Sequence, residues 1–145
     1  MKWLLFVGLA LVAVIVIVAL VGSTLPRGHI ASRTLRVKRS PQDVWPVISD
    51  MMAKSDVPVD ILENDPPRRL VSRVKATEKM FGGTWTVTVS PAPDGSNLTI
   101  TEDGWVANPV FRFVSRFVIG HHATMDGMLK GVAKHFSEGP VLSGE

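Results

Sequence analysis

The chain has no cysteine among its 145 residues. That excludes disulfides, thiolate metal sites and cysteine nucleophiles, and leaves the redox compartment undecided. Tyrosine is absent too, so four Trp and six Phe carry all the aromatic surface. There is no phosphate-binding glycine loop, no cluster of metal ligands and no nucleophile elbow, so no cofactor, no metal and no catalytic residue is predicted. Charge is also in short supply: 16 basic against 13 acidic side chains leave a net +3. The basic residues Arg27, Arg33, Arg36, Lys38 and Arg39 follow an apolar run. They read either as a juxtamembrane segment attracted to anionic headgroups or as solvated strand charges, and no nucleic-acid partner is expected. No internal repeat is present.

What is abundant is one apolar run. Residues 3–22 are unbroken Val, Leu, Ile and other apolar types. As a helix they reach roughly 30 Å, about the hydrocarbon thickness of a bilayer. A secretory signal has a shorter apolar core and a small-residue cleavage site, which Val21-Gly22-Ser23 approximates poorly. The expectation is a single-pass anchor over 1–22 and a linker over 23–28, where Pro26 and Gly28 stop the helix. A domain over 29–137 and a flexible tail over 138–145 follow. The basic residues beyond the run favour a cytoplasmic domain.

Residues 30–39 alternate as a strand, with Ala31, Leu35 and Val37 on one face. Ser40 can cap a helix that opens with Pro41 and Asp43 and runs to about Met52. Pro46 is expected to distort it. Residues 57–63 and 68–77 read as strands about the turn Asn64-Asp65-Pro66-Pro67. Trp85, Val87 and Val89 alternate with Thr84, Thr86 and Thr88, the clearest strand in the chain. Residues 91–95 form a hairpin loop, and 97–106 return as a strand with a bulge or bend at Asp103-Gly104.

Residues 108–136 read as two helical pieces interrupted at Gly120. In the second, Met125, Met128, Leu129, Val132 and Phe136 recur at helical spacing. Asp126, Lys130 and Lys134 lie opposite, and the Asp126–Lys130 pair is worth only about 0.3 kcal/mol. A helix with such an apolar face needs a partner surface, which the strands upstream supply.

The order of these elements resembles the START-like (SRPBCC) superfamily, which includes the polyketide cyclase/dehydrase and lipid-transport proteins. The resemblance rests on Ser40-Pro41-Gln42-Asp43-Val44-Trp45 with Ser49-Asp50, and on Asp65-Pro66-Pro67-Arg68-Arg69-Leu70-Val71. It rests further on Gly82-Gly83-Thr84-Trp85-Thr86, Thr99-Ile100-Thr101-Glu102-Asp103-Gly104 and Asn108-Pro109-Val110-Phe111-Arg112-Phe113. It implies an α+β fold in which a curved antiparallel sheet of about five strands packs on a long C-terminal helix in a helix grip. The N-terminal transmembrane helix is added to that. Family members carry a further strand pair where this chain has only residues 51–56. The sheet is therefore expected to be short at one edge, and the cavity smaller or open on one side.

A ligand cavity between sheet and helix would be lined by Trp45, Ile48, Val59, Ile61, Trp85, Val87, Ile100, Met125, Met128, Leu129 and Val132; singly each reads as ordinary core, and it is the set that suggests a cavity. Glu102, Arg112 and Arg116 are the candidate polar contacts. His121-His122 reads as a solvated helix junction, because adjacent helical side chains point about 100° apart. The expected function is a membrane-anchored module that binds or moves a hydrophobic small molecule or lipid, leaning away from enzyme activity. Two alternatives stay open: a polyketide-cyclase-like enzyme, and a protein-interaction module using the shortened sheet. The oligomeric state is not legible.

Overall fold

The computed structural model describes residues 1–75 and 80–144. The apolar run forms one helix, α1 (Lys2–Thr24), long and apolar enough to cross a membrane. Nearly all of it is exposed; only Gly22 is buried. The helix continues two residues past the apolar run, so residues 25–27 alone connect it to the first strand.

Six strands form a single antiparallel sheet: β1 (Gly28–Val37), β2 (Val59–Asp65), β3 (Arg69–Val74), β4 (Phe81–Ala92), β5 (Gly95–Val106) and β6 (Val141–Ser143). Their spatial order is β2-β3-β4-β5-β1-β6. The strand expected over 68–77 ends at Val74; its positions Ala76 and Thr77 lie outside the described residues. Alternation decides the two faces. Thr86, Thr88, Thr99 and Thr101 share the outer face with Ser32 and Thr34. There Ser32 bonds Thr101 at 3.0 Å and Thr34 bonds Thr99 at 2.8 Å. The inner face carries Leu35, Val37, Val87, Val89, Leu98 and Ile100, all buried.

Three expectations are corrected here. Asp103 and Gly104 make no bulge: β4 and β5 stay in register through Thr84↔Asp103 and Gly83↔Gly104. The irregularity lies in β2, between Ile61 and Glu63. The segment 138–145, expected to be a flexible tail, contributes β6, which pairs with β1 through Leu35↔Leu142. The sheet therefore has six strands rather than about five. An otherwise open β1 edge offers unpaired amides and carbonyls, and Leu142 packs on the core.

Helices cover the inner face. In α2 (Pro41–Ala53) the Ser40 hydroxyl accepts from the Asp43 amide, Pro41 opens the first turn, and Val44, Trp45 and Ile48 are buried. The helix continues through Pro46, which sits one turn in. After β5 the chain forms α3 (Pro109–Val114), capped by the Asn108 side chain on the Val110 and Phe111 amides. A π-helical turn (Ser115–Ile119) follows and ends at Gly120, φ 80°. The helix α4 (Ala123–His135) then crosses the sheet with Met125, Leu129, Val132 and Ala133 buried. Burying each large aliphatic side chain contributes about 1.5–3 kcal/mol. Asp126 does not serve the expected pair with Lys130. It takes Arg33 of β1 instead, at 2.9 Å, tying α4 to the sheet.

The basic cluster is dispersed by the same geometry. β1 carries its charges away from α1 at about 3.3 Å per residue. Arg33 pairs with Asp126, Arg36 with Asp94 and Arg39 with Glu138. Arg36 and Arg39 are solvated charges, Arg33 is a partly buried tie to α4, and Arg27 remains beside the end of α1.

Candidate functional site

Where β4 and β5 approach α1, the inner face lacks large side chains. Gly83 and Gly104 lie directly opposite each other, and Gly82 faces Trp105. A Cβ on Gly83 would run into the Asp103 carbonyl, and its φ of 147° is one that other residues rarely adopt. A Cβ on Gly104 would stand 2.8 Å from the His29 ring and 3.0 Å from Glu102 Oε1. With no side chain at Gly83 and Gly104, space is left between the sheet and the helices, and a cleft results.

The cleft has two connected lobes. The larger, about 280 Å³, runs under α3 and the π-helical turn and includes His29, Phe111, Val114, Ile119 and His121. The smaller, about 170 Å³, runs toward the β2 edge and includes Met52, Val57, Val59, Ser72, Trp85 and Met128. Phe81, Gly82, Glu102 and Thr124 line both lobes, so Glu102 stands at their junction.

Glu102 reaches this point because it alternates inward with Leu98 and Ile100 on β5, opposite Trp85 and Ala31. His29 comes from the first residues of β1, opposite Gly104, and its Nε2 lies 3.5 Å from Glu102 Oε1. That is longer than a direct hydrogen bond. His121 follows the Gly120 break and stacks on His29, ring centroids 4.0 Å apart and planes 21° apart. The Glu102 and His29 side chains retain only 23 % and 17 % exposure.

Burial sets the electrostatics. It pushes the Glu102 carboxyl above the ordinary glutamate value, with His121 and the Trp85 indole pulling it back. Burial lowers His29, against the pull of Asp103. It also lowers His121, helped by the neighbouring His29 and opposed by Glu102. Desolvation thus favours the uncharged form of all three groups. Ser72 also lines the cleft, and its buried hydroxyl has no hydrogen-bond partner among the described residues. An orphaned hydroxyl in an apolar wall is what a bound polar atom would satisfy. Among the described residues no His, Asp and Glu group is arranged to hold a metal ion. The His29 and His121 rings are stacked face to face, so their nitrogens do not converge on one point.

Of the residues the sequence nominated for a cavity, Val59, Trp85 and Met128 line the cleft. Trp45, Ile48, Val87, Ile100, Met125, Leu129 and Val132 are packed in the core beneath it. Ile61 is exposed at the sheet's edge. Of the polar candidates, Glu102 stands in the cleft and Arg116 is exposed on the π-helical turn. Arg112 is buried and donates to the carbonyls of Leu25 and Ala107 at 2.8 and 3.0 Å, pinning α3 to the end of α1. His121 is no solvated junction, because it meets a histidine from the far end of the domain sequence. His29, Ser72, Gly104 and Thr124 were not legible as site residues. The one available signal was the inward phase of His29 and Glu102 on their strands.

No family model matches the chain, and no curated protein matches it in sequence. Solved structures do. CalU16 from Micromonospora echinospora superposes with a TM-score of 0.55 at 14 % identity, covering 79 % of this chain and 76 % of that one. A conserved protein from Geobacillus kaustophilus gives 0.54 at 12 % identity, covering 79 % and 99 %. A protein from Mesorhizobium loti gives 0.53 at 12 % identity, covering 77 % and 96 %. At these identities the likeness is one of fold. It agrees with the architecture above: a mixed α+β fold with an open antiparallel sheet and a C-terminal helix across it.

Proposed function

We propose that this chain is a membrane-anchored binding module for an apolar small molecule or lipid that carries a hydrogen-bonding group. The observation that supports this best is the pairing of an apolar two-lobed cleft with half-buried polar groups at its centre. Burial favours the acid form of Glu102, which can donate to a carbonyl or hydroxyl oxygen; Ser72 can donate or accept, and an imidazole can do either. The apolar walls recognise the rest of the ligand. At ~25 cal/mol per Å², burying ~300 Å² of ligand would contribute about 7 kcal/mol before ordering costs. α1 is the anchor in this reading, since almost none of it is covered by the domain. The excess of Lys and Arg after α1 supports a cytoplasmic side for the domain. Blocking of single introduced cysteines by a membrane-impermeant reagent tests that side.

The test of binding is direct. The full chain is purified, extracted with organic solvent, and the extract is weighed by mass spectrometry beside that of Thr124→Trp. Thr124 is exposed and lines both lobes, so the larger side chain fills the cleft without touching the core. A molecule present at one per chain in the wild type and lost from the variant supports the reading. Equal extracts from the two proteins contradict it.

A second reading has its own observation. A carboxyl held toward its acid form beside two imidazoles held toward their base forms is an arrangement suited to proton transfer. In that reading the bound molecule is converted, and Glu102→Gln abolishes turnover while leaving binding in place. Loss of binding together with turnover would return Glu102 to a purely positional role.

A further inference from the structure

The segment that roofs the larger lobe also carries an apolar surface of its own. Phe111, Phe117, Val118 and Ile119 are each half exposed or more, Val118 by 70 %. Single exposed hydrophobes are ordinary, but four within one short helical stretch are a patch. Its place is fixed by α1. α3 packs along the last turns of that helix, so closely that a Cβ on Gly22 would run into the Pro109 carbonyl. The buried Arg112 bridges to Leu25 just beyond the helix. Gly22 ends the apolar run, so an element that touches it lies level with the rim of whatever α1 crosses. The charge of the surface fits as well. Residues 104–125 include no Asp or Glu, while Arg116 stands exposed on the π-helical turn and Arg27 is exposed just beyond α1.

We propose that α3 and the π-helical turn make a second contact with an anionic lipid bilayer. Phe111, Phe117, Val118 and Ile119 enter its interfacial layer beside α1, and Arg116 sits among the headgroup phosphates. An apolar stripe flanked by cations is the pattern of an interfacial helix. The inference rests on the reading of α1 as a span. It adds a specific consequence: Phe111 and Ile119 also line the larger lobe, so the mouth of the cleft opens at the lipid surface. A ligand dissolved in the bilayer then enters without crossing water.

Because the chain has no cysteine, single labels report single sites. Val16→Cys, Val118→Cys and Asp94→Cys are made in the full chain, spin-labelled, and reconstituted in vesicles of phosphatidylcholine and phosphatidylglycerol. Collisions with oxygen, which concentrates in lipid, are compared with collisions with a water-soluble nickel chelate. Asp94 lies in the β4–β5 hairpin, at the other end of a 12-residue strand, and is the aqueous reference. The expected result is that the labels at 16 and 118 favour oxygen several-fold over the label at 94. A label at 118 as open to nickel as the one at 94, with 16 in lipid, overturns the second contact and leaves the span standing. A label at 16 in water overturns both. Spin–spin broadening at 118, with neither collision partner reaching it, overturns the proposal in favour of a second copy of the chain on this face.

Discussion

His29 and His121 stack at 4.0 Å, one from the first strand and the other from the turn before the last helix. The contact closes the larger lobe of the cleft beside Glu102 and joins the two ends of the domain. It exists because Gly104 opposite His29 has no side chain and because Gly120 breaks the helix at the right point. Three titratable groups are thereby drawn into one half-buried cluster, and their shifts make the chain's stability depend on pH.

The sign of that dependence follows from linkage. Glu102 is raised above its ordinary 4.5 in the fold, so its contribution is full below that value and is lost as pH rises through the folded-state value. His29 and His121 are lowered from 6.5, so theirs is full above 6.5 and lost as pH falls through their folded-state values. Glu102→Gln mimics the neutral acid. Its melting temperature, relative to the wild type, is expected to rise between pH 4 and pH 8. A difference that stays flat across this range would contradict the assigned shift.

The glycines of the cleft floor should differ in sensitivity. Gly83→Ala forces a Cβ against strand backbone at a φ of 147°, where nothing can yield. Gly104→Ala meets only the ends of the His29 and Glu102 side chains, which can move. Overpacking of this kind typically costs about 1–3 kcal/mol. Gly83→Ala is expected at or above the top of that range and Gly104→Ala toward the bottom. Denaturant titration measures both. The reverse order would mean that the floor is not built as described.

Asp126 and Lys130 form an unequal pair of targets. The Arg33–Asp126 bridge is largely shielded from water and holds α4 on β1. Charge-assisted hydrogen bonds of this sort are worth about 1.5–3 kcal/mol, whereas a substitution at an exposed helix position typically stays within about 0.5 kcal/mol. Asp126→Ala should therefore destabilise clearly and Lys130→Ala hardly at all. Equal effects would restore the helix-surface pair expected from spacing alone.

Core and cleft can be separated by mutation as well. Leu129 is fully buried under α4, so Leu129→Ala should cost about 2–5 kcal/mol. Thr124→Trp, one turn earlier on the exposed lip, should leave the unfolding midpoint nearly unchanged. If the two variants melt alike, Thr124 is part of the packed core and the lobes do not meet there.

Much of this architecture was legible because its signals are local. Trp85, Val87 and Val89 set against Thr84, Thr86 and Thr88 state both a strand and its inner face. Ser40-Pro41 states a helix start, and Met125, Leu129 and Val132 state the buried side of α4. What escaped depends on pairs distant in sequence. β6 has only three residues among Gly and Ser, and it becomes a strand because the β1 edge is there to receive it. Arg33, Arg36 and Arg39 look clustered along the chain, but an extended strand separates them and Asp126, Asp94 and Glu138 take one each. His121 beside His122 gives no hint of His29. The cleft is made chiefly by glycines, whose meaning depends on what lies opposite.

In the proposed function the cleft between the sheet and α3–α4 holds an apolar molecule. The most direct measurement is photolabelling of the full chain in phosphatidylcholine–phosphatidylglycerol vesicles with a diazirine-bearing fatty alcohol, followed by peptide mapping. Adducts are expected on the peptides that contain Val59, Val114 and Met128, competed away by excess unlabelled alcohol and lost in Thr124→Trp. Adducts confined to α1, unchanged in the variant, would mean that the probe met the chain only from the bilayer and that the cleft holds nothing.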